Sequence, residues 1–199
     1  MTMIIQDGTG TGKTTKVGFD NQLEVHASSV EQQHYYSERF GQAYQVQGFT
    51  GTLSSATLPI LHIRNTSVDK EIVITYIRHQ VVDQSATVPA TSEYFSLRLG
   101  RTYSSGGTAV TPTNLNTGSG NEAEATCYDG TGSTLTLAGT ATEIDRYYTV
   151  SEASLLVFNK EGSIIIAPND TLECAYVGTS TAGIAYCRVS FYMEPVGAG

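Results

Sequence analysis

From about residue 43 onward, apolar and polar positions alternate with a period of two in one short run after another. This is the pattern of strands with one face buried and one face wet. Leu58–Arg64 is the first clear run and ends at the turn-like Asn65-Thr66-Ser67-Val68-Asp69-Lys70. Glu71–His79 is the strongest β run in the chain. Tyr94–Leu99 places Phe95, Leu97 and Leu99 on one face, and Thr134–Leu137 alternates weakly. Further on, Leu155–Phe158 meets the turn Asn159-Lys160-Glu161-Gly162, and Ile164–Ile166 meets Ala167-Pro168-Asn169-Asp170. Thr171–Val177 sets Leu172, Cys174 and Tyr176 on one face. The last run predicts Ala185, Cys187, Val189, Phe191 and Met193 inside, with Tyr186, Arg188, Ser190 and Tyr192 outside. About eight strands joined by turns, without a long helical period, predict an all-β chain folded as a single β-sandwich.

Two stretches break the pattern. Thr102–Ser133 is almost entirely Ser, Thr, Gly, Asn and Ala, and reads as a long insertion. Residues 1–45 read as an extended N-terminal arm ahead of a sandwich over 46–199. The arm opens with the Gly/Thr run Asp7–Thr15 and carries a short strand-like stretch, Gln22–His26. Ser28 and Glu31 have capping-box spacing, which allows one or two helical turns before Phe40. The absence of a continuous apolar stripe there fits an extended segment lying on a partner equally well.

Composition sharpens this picture. Of 199 residues only 15% are charged, against ~25% in typical domains. Coiled coils and charged disordered tails are thereby excluded, and the strands must be solvated largely by hydroxyls. The formal net charge of −8, with 11 scattered basic residues, argues against nucleic acid and against anionic membranes as partners. The opening Met1–Asp7 has no basic n-region or apolar core of a signal peptide, so the expected site of synthesis and folding is a cytoplasm. Cys127, Cys174 and Cys187 are odd in number and lack CxxC spacing. Cys174 and Cys187 sit in alternating runs and read as small buried hydrophobes.

Candidate chemistry is sparse. Gly8-Thr9-Gly10-Thr11-Gly12-Lys13-Thr14-Thr15 looks like a phosphate loop, but the position six before Lys13 is Asp7 where that motif requires glycine. Lys16–Asn21 is also a poor helix former, whereas a phosphate loop needs a helix N-terminus facing the anion. His26, His34, His62 and His79 form no zinc spacing, and His62 and His79 read as strand-edge or interface residues beside Arg64 and Arg78. Neither a nucleophile elbow nor an EF-hand ladder is present, the latter even around Asn121–Glu124 and Asp129-Gly130. The sequence therefore gives no catalytic residue, no metal ligand and no cofactor. Tyrosine is the unusual signal, with 12 in the chain. Tyr35, Tyr36, Phe40 and Tyr44 form the candidate partner-binding set, because rings give large contact area at low entropy cost.

A resemblance adds to this reading. Asp7-Gly8-Thr9-Gly10-Thr11-Gly12, Lys16-Val17, Asn21-Gln22-Leu23-Glu24-Val25 and the stretch ending Phe40-Gly41-Gln42-Ala43-Tyr44 resemble the opening of small structural proteins of tailed bacteriophages. Ile164–Leu172, an apolar strand, a Pro-containing turn and the next strand, is similar to that pattern in viral jelly rolls. The resemblance implies a jelly-roll-like, non-enzymatic virion component, most simply a capsid decoration or cement protein. Its partners would be the major capsid protein or other virion proteins and further copies of itself, as a homo-oligomer. The alternative it leaves open is a tail accessory or fibre head that binds a host glycan or receptor, with the Ser/Thr/Gly stretch and exposed Tyr as the platform.

Overall fold

A computed structural model describes residues 5–6, 14–15, 32–54, 57–82, 93–149, 155–160, 163–179 and 181–197. The chain divides into two compact units, Met1–Glu31 and Gln32–Gly199. In the first, β1 (Ile5–Gln6) pairs antiparallel with β2 (Thr14–Thr15). The strand-like stretch at 22–26, the capping pair Ser28 and Glu31, and the rest of the arm lie outside the described residues. The boundary at 45/46 falls inside a strand of the second unit, which starts at Gln32.

The second unit opens with α1 (Gln32–Phe40) and continues almost wholly as strands. These are β3 (Ala43–Phe49), β4 (Thr57–Asn65), β5 (Lys70–Val82), β6 (Tyr94–Leu99), β7 (Thr102–Ser105), β8 (Thr108–Val110), β9 (Thr113–Asn114) and β10 (Ala125–Asp129). After them come β11 (Thr136–Ala138), β12 (Thr142–Tyr148), β13 (Leu156–Asn159), β14 (Ile165–Ile166), β15 (Thr171–Val177) and β16 (Ile184–Pro195). One sheet has the order β12-β6-β15-β4-β10-β8 and the other β13-β5-β16-β3-β9, with β14 also on β5. Every pairing is antiparallel, and the long-range pairs are nested: β3 with β16, β4 with β15, β5 with β13 and β14, β6 with β12.

The core lies between the two sheets. Ala185, Cys187, Val189, Phe191 and Met193 are all buried, as the alternation of β16 predicts. They meet Leu97, Leu172, Cys174 and Tyr176 of the facing sheet in one hydrophobic cluster. His79 of β5 stacks on Phe95 of β6 with ring centres 4.5 Å apart, and Tyr147 of β12 on Phe158 of β13 at 3.6 Å. All three cysteines are buried and free. Burial pushes the Cys127 thiol up to about 12, so it stays a protonated, small apolar side chain.

Several expectations are corrected here. The stretch 102–133 is not a bare insertion: β7, β8, β9 and β10 lie in it. Its Thr, Tyr and Val residues suit a pleated surface, and hydroxyl-rich composition imitates a loop when a strand faces water. Tyr192, predicted outward, is 1% exposed because α1 covers that face. His62 and His79 are fully buried rather than at an edge. His62 faces away from the core, but the β7–β11 ribbon covers it: Nε2 lies 3.0 Å from Arg101 O, and Tyr103 of β7 stacks on Tyr128 at 3.8 Å.

A candidate interaction surface

Helix α1 lies on the outer face of the second sheet, and the sequence explains why it is held there. Its inward residue is Tyr36, whose ring stacks on Tyr192 at 4.8 Å and 12°. Ala43 and Val73 complete the small apolar patch beneath it. Burial and a hydrogen bond with Glu194 raise the Tyr36 phenol to about 12, so it stays protonated. At the helix N-terminal end, Thr75 Oγ1 of β5 is 2.7 Å from Gln33 Oε1.

The C-terminal end is capped by asparagines of β9 and the stretch that follows it. The Asn116 side-chain amide donates to Ser37 O at 2.9 Å, Asn121 to Phe40 O at 2.8 Å and Asn114 to Gly41 O at 2.9 Å. Ser37 O also accepts from Gly41 N–H at 3.1 Å, while the carbonyls of Phe40 and Gly41, at and just past the last turn, are satisfied by the capping side chains. Gly41 stops the helix with a left-handed φ of +59°, and a Cβ there would sit 2.2 Å from Ser119 Oγ.

This scaffold presents two rings. Tyr35 is 40% exposed and Phe40 48%, with ring centres 5.6 Å apart, edge to face. The Arg39 guanidinium lies 6.0 Å from the Tyr35 ring centre. Of the candidate set, then, Tyr35 and Phe40 are presented and Tyr36 anchors the helix. Tyr44 is corrected: it is 0% exposed, in the core against Phe191, and its hydroxyl donates to Glu122 O at 3.1 Å. On β3 it shares a face with Val46, which the sequence could show only once the strand's start was known.

The most concentrated polar chemistry lies under the β7–β11 ribbon. Glu173 is 1% exposed, 3.3 Å from Arg101 and 3.9 Å from Arg98. Burial raises its carboxyl against the pull of the two guanidiniums. Arg101 also donates to Leu137 O at 2.7 Å, so the network fastens the ribbon to the sheet. The position of His62 opposite Glu173 in the ladder completes the row. Burial and the neighbouring arginines lower the His62 imidazole, which stays neutral near pH 7. Glu173 and His62 are buried at the centre of this network and the two arginines are only partly exposed, which is the geometry of a structural tie. Among the described residues no group of His, Cys, Asp and Glu is arranged to hold a metal ion. No helix among them is long and apolar enough to cross a membrane. No protein-family model matches the chain, and comparison with curated proteins gives no match.

Proposed function

We propose that the chain is a non-enzymatic structural protein of a tailed-phage virion, a head decoration or cement protein that binds the capsid shell. The observation that carries this reading is the exposed pair Tyr35 and Phe40 on a helix tied at both ends. Rigid, exposed rings lose little entropy on docking and suit the centre of a protein interface. The nested strand pairing supports the shell-protein side. The orders β3-β16-β5-β13 and β4-β15-β6-β12 are what a long antiparallel ribbon gives when rolled into a jelly roll. The Ser/Thr/Gly stretch after β6 is taken up by strands and helix capping, which favours the helix face over that stretch as the contact.

Co-sedimentation with shells assembled without this chain tests the reading. The wild type should bind at a fixed stoichiometry. Tyr35→Ala with Phe40→Ala should weaken binding about tenfold or more, as loss of interface anchors does, with little change in melting temperature. Failure of the wild type to sediment with shells overturns the reading, and unaltered binding by the double variant removes the helix face as its site.

A further inference from the structure

In the β5–β16 register, Arg188 stands directly opposite Arg78. Both point to the outer face of the second sheet, because Ile77, His79, Cys187 and Val189 on either side of them are buried. Like charges directly opposite each other in an antiparallel pair destabilise it. Relief would come from a carboxylate, and the chain is rich in them, with 19 acidic against 11 basic residues. Yet the ion pairs among the described residues use Lys70, Arg98, Arg101, Arg146, Lys160 and His34, and neither of these two arginines. Arg188 donates to Gln47 Oε1 at 3.3 Å and lies 5.8 Å from the Tyr186 ring centre, while its buried Nε has no acceptor among the described residues. Arg78 is exposed.

The row Gln47-Arg188-Arg78-Val157 thus runs across four strands with two guanidiniums at its centre that no carboxylate of the described residues pairs with. On one side it is flanked by Tyr186 and Phe49, with ring centres 5.1 Å apart. Val157, at the row's end, is 48% exposed.

We propose that this face docks an acidic segment of a protein partner, with a carboxylate of the segment held between Arg78 and Arg188. Two arginines whose Cα atoms lie about 5 Å apart across a ladder can each direct the paired N–H groups of a planar guanidinium at one carboxylate. Arginine and aromatic rings on a flat face match the composition of interface centres. Two cations on a chain of net charge −8 are too few to hold a nucleic-acid backbone. The proposal goes beyond the shell reading and does not rest on it, since Tyr35 and Phe40 lie on the helix and not in this row.

The test is a titration of the isotope-labelled chain with a hexaglutamate peptide at low salt, with hexaglutamine as control. Saturable shifts should centre on residues 76–80 and 186–190, and hexaglutamine should give none. Arg78→Gln with Arg188→Gln should weaken the peptide about tenfold or more, as loss of a charge-paired contact does. The melting temperature of that variant should be unchanged or higher, because the repulsion is gone. Equal binding of hexaglutamine, or hexaglutamate binding indifferent to the double variant, overturns the proposal. Inorganic phosphate competing as well as the peptide at equal charge reveals a general anion site and also overturns it. Self-association lost in the double variant identifies a second copy as the occupant and overturns a foreign segment.

Discussion

His79 shows how a single side chain sets a condition on the whole fold. It is fully buried, stacked on Phe95, and neither ring nitrogen has a hydrogen-bond partner among the described residues. Burial holds its imidazole down at about 3, against an ordinary value of 6.5. The unfolded chain therefore takes up this proton near pH 6.5, while the folded chain resists it until about pH 3. Stability is complete above the unfolded value and is lost as pH falls from 6.5 towards 3. The loss attributable to this residue is on the order of a few kcal/mol at the acid end. His79→Leu, similar in volume, should flatten the acid limb and leave pH 7 stability nearly unchanged. Urea unfolding at pH 4 and pH 7 checks this; equal acid losses in both proteins would clear His79 of the effect.

At the scale of elements, α1 is a nine-residue helix of mostly polar sequence, QQHYYSERF. Isolated helices this short are marginal in water, so its stability comes from docking and capping. Asn121→Ala removes one donated hydrogen bond at the last turn and should cost ~1 kcal/mol. Gly41→Ala should cost more, at least ~1–2 kcal/mol for the left-handed backbone, with the clash against Ser119 added. Amide exchange over residues 36–42 reads both changes locally, and Gly41→Ala should give the greater loss of protection. The reverse order would mean that the asparagine cap, rather than the glycine stop, governs the helix end. The sequence pointed to helical turns before Phe40 through the Ser28/Glu31 spacing and to ring contacts through its tyrosines. It could not show that Tyr36 turns inward onto Tyr192. That choice depends on a strand more than 150 positions further along the chain.

For the whole molecule, the central test is the packing between the sheets. Phe191 is 0% exposed, in the same cluster as Tyr44, Val46 and Leu172. Phe191→Ala should cost ~3–5 kcal/mol through lost transfer energy and the cavity left behind. That is a large share of the ~5–15 kcal/mol of a typical domain. Ser190→Ala, on the opposite face, should cost ~0.5 kcal/mol or less. Thermal melts decide it, and comparable losses in the two variants would contradict the observed β16 register.

By itself the sequence determined the β class, the course of the long strands β4, β5, β6, β15 and β16, and the buried side of β16. It also determined the turn at Ala167–Asp170, where Asn169 takes a φ of +67° that asparagine tolerates better than other non-glycine residues. These are local properties, because a period of two writes a strand's two faces into neighbouring residues. Only the tertiary structure decided the nested pairing, since alternation does not say which strand lies beside which. It alone made strands of the hydroxyl-rich stretch from Thr102 to Asp129. It also buried the outward-facing Tyr192, His62 and Glu173, by laying α1 over the first and the β7–β11 ribbon over the other two. Burial of an outer face depends on what covers it, and the covering element is encoded elsewhere in the chain.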